Sequence, residues 1–409
     1  MAELRVSYAY SIKENVNDAV EEIVGKIEEE IGKPNWCYLV TTVNYPLEEL
    51  IDRFYSAMGK TKVYGETSCL GIITPEGFII GPENKSIGVL AVKTDLIKFG
   101  VGYGEVKDED GKKAGIDAIN MALEDAGLKR GKRPALIHMS ATPPYEERII
   151  EGIESVVGKK TPIFGGSAAD DKIEGRWRVF CNNKVIGKGV SLTVMVTKLK
   201  IAYEYMSGYS SLKYSGKVTK SIGRRIGEIN GKPTASVYNT WTGGRFEEQI
   251  KTGESILGPA SFFPLARRFT VGKETYWVSV HPSRFSPEDG SLEVFAEVPE
   301  GSDVWLLEGT PDILIERPIR ITQAALGKFK LKPEDVGFGI LIYCAGTMLP
   351  VKDKIGDSIK KVYEILKTPF IGAFTFGEQG HIKGYGNFHG NLMADIVLVS
   401  KKKKRFLFF

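Results

Sequence analysis

The chain has few cysteines and no long apolar run. Its 409 residues include four cysteines, and none of them forms a Cys-x-x-Cys pair: Cys37, Cys69, Cys181 and Cys344. This spacing predicts reduced thiols in a cytoplasmic protein rather than a disulfide framework or a zinc knuckle. No window reaches the roughly 20 apolar residues of a spanning helix, and the opening "MAELRVSYAY" lacks the apolar core of a secretory leader. We therefore expect no membrane span and no export.

The chain also lacks an excess of charge of one sign. Lys and Arg number 55 against 51 Asp and Glu, which gives a net charge of +4 spread along the sequence. A nucleic-acid partner needs a concentrated basic face, so we predict none. The one basic run is the tail 401–409, "KKKKRFLFF". This composition favours a solvated tail, with weak contact to an anionic membrane surface as the alternative.

Nucleotide-binding loops are missing as well. The stretch "GRRIGEINGKPT" at 223–234 contains a Gly-Lys pair, but Ile226 stands where a phosphate loop needs glycine and Pro233 where it needs a hydroxyl. The stretch "GVGYG" at 100–104 lacks the last glycine of the dinucleotide fingerprint. We predict no cofactor.

What the chain does contain is a six-residue signature in three copies. The segments 60–65, 160–165 and 367–372 all read Lys-Thr-x-apolar-apolar-Gly and end at Gly65, Gly165 and Gly372. Because glycine permits tight connections, we predict that these glycines, with Gly166 and Gly377, lie in turns between a helix and a strand.

The surroundings of the signature repeat too. Before each copy lies a short apolar run, at 36–42, 134–141 and 339–346, and then an amphipathic helical pattern. After each copy comes a further β-rich run. The pattern predicts an α/β fold with two pseudo-repeated lobes of strand-helix-strand-hairpin units in mixed sheets.

A fourth, degenerate unit is predicted to begin at 303–309, which would give two units per lobe. The segment from about 176 to 298 is rich in β-formers and glycine, and we expect mixed or antiparallel sheet there. We place the domains at 1–200 and 201–400, followed by the tail 401–409.

Ligands of α/β proteins bind where strands lead into helices. The loops after Thr42, Ala141 and Gly346 are therefore candidate binding loops. The alternative is that the glycine-rich connections only allow close packing.

Two chemical alternatives involve Cys344, Glu378, His381 and His389. A thiol at a strand end with a histidine in reach suits acyl transfer, although the sequence offers no orienting partner. The spacing Glu-x2-His-x7-His suits a metal, although no helix holds it. Neither alternative is favoured, and we predict no metal.

The order of these motifs resembles the FIST domain proteins, in which a FIST N domain precedes a FIST C domain. "VYGETSCLGI" (63–72) and "TPIFGGSAADD" (161–171) are similar to the glycine-centred motifs of the N domain. "IYCAGTM" (342–348) and "IGAFTFGEQG" with "NFHGN" (371–380 and 387–391) are similar to those of the C domain. One departure is Thr347, where the family often has arginine, which leaves in doubt any role of an arginine in holding an anionic ligand.

The resemblance implies a cytoplasmic sensory protein of signal transduction that binds a small ligand, with amino acids proposed for the family, and that signals through an unknown partner protein. The alternative is an enzyme, a hydrolase or acyl transferase, that uses Cys344 and Glu378. The predicted ligand-binding residues are Thr67, Ser167, Asp170, Cys344, Thr375, Glu378, His389 and Asn391. We expect the Glu378 carboxylate either to bind a ligand ammonium or to accept backbone N–H groups.

Overall fold

The computed structural model describes residues 3–129 and 131–403. Three segments of the chain fold into units with the same order of elements. The first unit contains β1 (Leu4–Ser11), α1 (Val16–Ile31), β2 (Trp36–Thr41), α2 (Leu47–Met58), β3 (Lys62–Thr67), the hairpin β4 (Ile72–Thr74) and β5 (Gly77–Ile79), a 3-10 turn (Pro82–Asn84), and β6 (Ile87–Thr94).

The second unit repeats this order without interruption. It contains β7 (Ile97–Glu105), α3 (Gly111–Asp125), β8 (Leu136–Ala141), α4 (Glu146–Val157), β9 (Ile163–Ser167), the hairpin β10 (Val179–Cys181) and β11 (Lys184–Ile186), and β12 (Gly189–Thr197). The first strand of the third unit, β13 (Leu199–Met206), follows directly.

A large insertion then separates β13 from the rest of the third unit. The insertion contains β14 (Ser210–Ile222), β15 (Arg225–Ile229), β16 (Lys232–Pro233), α5 (Thr234–Trp241), α6 (Glu247–Thr252), α7 (Leu257–Ala260), β17 (Leu265–Val271), β18 (Glu274–Val280), β19 (Pro282–Phe285), β20 (Leu292–Val294) and β21 (Asp303–Glu308). Its strands form one antiparallel sheet in the order β18-β17-β21-β14-β15-β20-β19, with β16 beside β15.

The third unit resumes after the insertion. It contains α8 (Pro311–Phe329), a 3-10 turn (Pro333–Asp335), β22 (Val336–Cys344), α9 (Ala345–Met348), a 3-10 turn (Leu349–Val351), α10 (Lys352–Leu366), β23 (Phe370–Thr375), the hairpin β24 (Glu378–Ile382) and β25 (Gly386–Gly390), and β26 (Ala394–Lys403).

Each unit builds a sheet whose hairpin comes from another unit. The strand orders are β1-β6-β2-β3-β10-β11, β7-β12-β8-β9-β24-β25 and β13-β26-β22-β23-β4-β5. The second unit therefore completes the first sheet, the third completes the second, and the first completes the third. In each sheet one strand pair is parallel and the others are antiparallel. The predicted α/β class with repeated units in mixed sheets is confirmed.

Both faces of the three sheets are buried, which explains the continuous apolar runs in the sequence. One face packs on two helices of the same unit, and the amphipathic stripes predicted for α2, α4 and α10 form this contact. The other faces meet in a shared core that includes Tyr38, Phe164 and Ile342 from three different units.

The three signature glycines lie at equivalent positions, but inside strands and not in turns. Gly65, Gly165 and Gly372 are opposite Leu39, Met139 and Leu341 in the parallel pairs. A Cβ atom on each would lie 1.8 Å from the facing carbonyl oxygen. The prediction of turns is therefore wrong for these glycines, because close approach of two backbones within the sheet requires them.

Gly166 also lies in a strand, β9, where a Cβ atom would meet the side chain of Thr375 at 2.4 Å. Gly377 does lie in the bend between β23 and β24. There a Cβ atom would be 2.3 Å from the ring of His389, so glycine lets this bend pass over the histidine.

The prediction of a fourth unit that begins at residue 303 is wrong. Residues 303–308 form β21, which pairs antiparallel with β14 and β17 in the sheet of the insertion. The following helix α8 packs on β13 and β26 and belongs to the third unit. The expected antiparallel sheet in the insertion is present. Of the basic and aromatic tail, Lys401–Lys403 end β26, and 404–409 lie outside the described residues.

Candidate functional site

A cavity of about 630 Å³ lies where the second and third units meet the insertion. It opens at the carboxyl ends of β8 and β22, where these strands lead into α4 and α9, and beside the loops that follow β9 and β23. The insertion closes it with α7, the β14–β15 hairpin and the segment at Phe295. Two of the three predicted binding loops, those after Ala141 and Gly346, line this cavity.

Most of the cavity wall is apolar. The aromatic and aliphatic side chains come from the second unit, the insertion and the third unit: Trp177, Leu257, Phe295, Leu349 and Phe376. Trp177 and Phe376 meet edge to face, with ring centroids 6.0 Å apart. Concave sites of this size with an apolar wall and a few polar groups are typical of small-molecule binding.

The polar part of the wall centres on Glu146, the first residue of α4. Its side chain is 1% exposed, and Oε2 accepts a hydrogen bond from Arg224 Nη2 at 2.6 Å. The same Arg224 nitrogen donates to Glu147 Oε2 at 2.5 Å. Arg224 lies at the turn of the β14–β15 hairpin, so this ion pair joins the insertion to the second unit across the cavity.

Two predicted ligand-binding residues, Ser167 and His389, lie beside Glu146, which lines the cavity. Ser167 Oγ donates to Glu146 Oε1 at 2.7 Å, and His389 Nε2 lies 4.0 Å from the same oxygen. Gln379 connects the pair, because its Nε2 is 3.1 Å from Ser167 Oγ and 3.1 Å from His389 Nδ1. This buried network fixes the orientation of the Glu146 carboxylate.

Cys344 and Asn391 line the cavity directly. The Sγ atom of Cys344 accepts the backbone N–H of Leu392 at 3.3 Å. Burial raises the pKa of the Cys344 thiol well above its usual range, and the Glu378 carboxyl beside it adds to this effect. The thiol is therefore protonated at neutral pH, whereas nucleophilic cysteines have a lowered pKa.

Glu378 and Thr375 lie behind Cys344 and do not line the cavity. Glu378 is fully buried, and its oxygens accept Thr375 Oγ1 at 2.8 Å and the backbone N–H of Met393 at 2.9 Å. Burial raises the pKa of Glu378 to about 8. Glu378 was expected either to bind a ligand ammonium or to accept backbone N–H groups. These contacts match the second role.

Thr67 and Asp170 hold loops in place. Thr67 Oγ1 accepts the backbone N–H of Arg178 at 3.0 Å. The Asp170 carboxylate accepts four backbone N–H groups of the following loop, from Lys172, Ile173, Glu174 and Arg176. Lys172, Ile173 and the neighbouring Asp171 line the cavity, so Asp170 shapes part of its wall.

Residues that the sequence did not single out complete the site. Glu146, Arg224 and His281 line the cavity. Glu146 and His281 belong to no motif, and Arg224 lies in the stretch 223–234 that lacks the spacing of a phosphate loop. Burial lowers the pKa of His281 to about 4, so its ring is neutral at pH 7. Only the position of Glu146, five residues after the strand end at Ala141, gave a signal, because first turns of helices after strands border ligand sites.

The carboxylates also form a cluster with His389. One donor atom from each of Glu146, Glu147 and His389 lies within 4.8 Å of the others. Arg224 already bridges the two carboxylates, and its guanidinium supplies the positive charge that a metal ion would bring. This cluster differs from the set Cys344, Glu378, His381 and His389 that was considered from the sequence, because only His389 belongs to both. His381 instead bonds to Asn387, with 3.0 Å between Nδ1 and Oδ1.

Comparisons with known proteins give a family and several solved structures of low sequence identity. Among curated proteins nothing matches. Solved structures that are similar include the cyanuric acid hydrolase from A. caulinodans, at 8% identity over 98% of this chain and 100% of that chain, with a TM-score of 0.41. A chorismatase is similar at 9% identity over 98% and 99%, with a TM-score of 0.34. The T. maritima PurL complexed with ATP follows at 9% over 97% and 71%, with a TM-score of 0.22.

The family models match in the expected order. The FIST N domain model matches residues 36–232, and the FIST C domain model matches residues 235–381. FIST domains are sensory, ligand-binding domains of signalling proteins. No helix among residues 3–129 and 131–403 is long and apolar enough to cross a membrane. Since the two models together match most of its length, this chain belongs to the family of proteins with a FIST N domain followed by a FIST C domain.

Proposed function

We propose that this protein is a cytoplasmic sensor that binds an amino acid or a related small molecule in the cavity between its second and third units. The proposal rests on the combination of an apolar cavity wall with one carboxylate, Glu146, and one guanidinium, Arg224, which lie side by side in that wall. The ammonium of an amino acid matches the Glu146 carboxylate, and its side chain gains from the apolar wall.

The four cysteines support a reducing compartment. All of them are buried free thiols, as expected where disulfides do not persist. Signal output through a partner protein is part of the proposal. The β14–β15 hairpin is a suitable element for it, because Arg224 contacts the cavity while Ile222, two residues away, is 81% exposed.

The alternative is an enzyme that uses Cys344 and Glu378 as nucleophile and base. The raised pKa of both groups argues against a thiolate, so we favour binding without chemistry. Cys344→Ser separates the two functions. A sensor keeps its ligand affinity within a few-fold, whereas a thiol-dependent hydrolase or acyl transferase loses its activity.

A thermal-shift screen of amino acids and small carboxylates tests the proposal. A ligand at a hundred times its Kd stabilises the folded protein by about 2.7 kcal/mol, which gives a clear rise in Tm. Trp177→Ala, which removes an aromatic wall of the cavity, should weaken the response about tenfold in Kd.

Trp241→Ala is the matched control, because this half-buried tryptophan also contacts one aromatic ring, that of Tyr214, but lies outside the cavity. The affinity of Trp241→Ala for the ligand should equal that of the parent protein. Equal affinities for both variants would show that the ligand binds elsewhere, and no stabilisation by any compound would contradict the proposed function.

A further inference from the structure

The chemistry of the ligand can be inferred from the charges that border the cavity. Glu146 and Glu147 are adjacent in the first turn of α4, and both accept hydrogen bonds from one atom, Arg224 Nη2. Two carboxylates thus share a single guanidinium. Arg224 also lines the cavity, but this arginine is already held by two anions. Asp171 and Lys172, which are adjacent in the chain, add one charge of each sign to the wall, so the two carboxylates at Arg224 leave one negative charge in excess.

Two uncharged groups of the cavity wall, the Phe295 carbonyl and the His281 ring, can accept further hydrogen bonds. The carbonyl oxygen of Phe295 has only long contacts, at 3.4 Å to His389 Nε2 and 3.4 Å to Asn391 Nδ2. His281 uses Nε2 to donate to the Leu257 carbonyl at 2.9 Å, which leaves its Nδ1 as an acceptor. A ligand that brings donors satisfies these groups, and a ligand that brings only acceptors does not.

We propose that the ligand carries a primary ammonium group, which Glu146 binds, on an apolar or aromatic body that occupies the rest of the cavity. This inference rests on the proposed function and names the chemistry of the ligand. An ammonium has three donors and one positive charge. It would offset the excess negative charge and donate hydrogen bonds to Glu146, and its remaining donors suit acceptors such as the Phe295 carbonyl.

The body of the ligand follows from the apolar part of the wall. Trp177, Leu257 and Phe376 present apolar surface, and the cavity of about 630 Å³ is within the range for drug-sized ligands. Small polar amines therefore gain little binding free energy from this wall. Amines with an aromatic or branched aliphatic group gain both the ion pair and the burial of apolar surface.

Three phenyl compounds of similar shape test which charged group of the ligand is needed for binding. 2-Phenylethylamine carries only the ammonium, L-phenylalanine carries the ammonium and a carboxylate, and 3-phenylpropionate carries only the carboxylate. Titration calorimetry on the full chain should show binding of the first two and at least tenfold weaker binding of the third. If 3-phenylpropionate binds as tightly as the amine, or if the amine does not bind, the inference is wrong.

Two conservative variants then assign the residue. Glu146→Gln keeps the shape of the side chain but removes its charge, and the Kd for 2-phenylethylamine should rise about tenfold or more. Glu147→Gln is the matched control, because Glu147 also bonds to Arg224 but does not line the cavity. Its Kd should change no more than about threefold.

The outcomes distinguish the inference from the proposed function. Equal effects of the two variants, or no effect of Glu146→Gln, would overturn the role of Glu146. If Glu146→Gln does not fold, as judged by circular dichroism, the three-probe comparison on the parent chain still decides the head group. Stabilisation by amide or carboxylate ligands without any amine would overturn the ammonium while leaving a small-molecule sensor. Failure of every compound would contradict both.

Discussion

Glu378 shows how a buried carboxyl makes the stability of a protein depend on pH. Its pKa is raised by burial to about 8 in the folded protein, against 4.5 as its ordinary value. Between these values the folded protein holds a proton that the unfolded chain has lost. The stabilising contribution is therefore complete below about pH 4.5 and is lost as the pH rises through 8.

We predict that Glu378→Gln reduces this dependence. The parent should lose free energy of unfolding from pH 5 to pH 8, by up to about 1.4 kcal/mol per pH unit from this group, whereas the amide has no proton to lose. Urea unfolding at several pH values measures the difference. Glu364→Gln on the exposed side of α10 is the control and should leave the pH profile unchanged. Parallel profiles for Glu378→Gln and the parent would mean that Glu378 is ionised in the folded state.

The sequence predicted part of the site, and the reason is local. Cys344, Asn391, Ser167 and His389 follow strands or glycine-rich motifs, so their placement near one end of the sheets could be inferred from the chain itself. Glu146 could not be distinguished from other acids in the first turns of helices. Its role depends on Arg224, which is 78 residues away and belongs to the insertion.

At the scale of single elements, the signature glycines belong to the strand pairing and not to turns. In β3 and β23 a Cβ atom would lie 1.8 Å from the backbone oxygen of the partner strand, and neither glycine has a positive φ. The clash alone thus determines the effect of a substitution. Since the obstacle is backbone, no side-chain rotation relieves it.

We predict that Gly372→Ala lowers the free energy of unfolding by about 3 kcal/mol or more, because the central strands must separate. Gly25→Ala is the opposite control. Gly25 lies in α1 with nothing within 4 Å of its Cβ position, and alanine there should stabilise the protein by about 1 kcal/mol. Chemical denaturation of both variants tests this prediction. A loss below about 1 kcal/mol for Gly372→Ala would show that the sheet opens easily.

The fold was predictable from the sequence where the pattern is periodic. The stripes of α2, α4 and α10 repeat with helical period, and the apolar runs of β2, β8 and β22 mark strands buried on both faces. The exchange of hairpins was not predictable. The strands β4, β10 and β24 are three to five residues long, and short strands do not indicate which sheet they join.

At the scale of the whole molecule, the hairpin exchange links the three units in a closed cycle. Asn387, in the β24–β25 hairpin of the third unit, is one of the links. Its Oδ1 accepts the backbone N–H of Ile163 at 2.9 Å, and its Nδ2 donates to the Thr161 carbonyl at 3.1 Å and to Glu154 Oε1 at 2.9 Å. All three partners belong to the second unit, so neither unit has its full set of hydrogen bonds without the other.

We predict from this cycle that the full chain unfolds in one calorimetric transition and that Asn387→Ala, which leaves buried groups of the second unit unpaired, lowers its stability by about 1–3 kcal/mol. Hydrogen exchange should then accelerate in β9 as well as in β25. Asn239→Ala is the control, because Asn239 bonds to the backbone of Phe246 within the insertion, and faster exchange should stay near α5. Two resolved transitions, or exchange changes confined to the third unit in Asn387→Ala, would mean that the units fold independently despite their shared sheets.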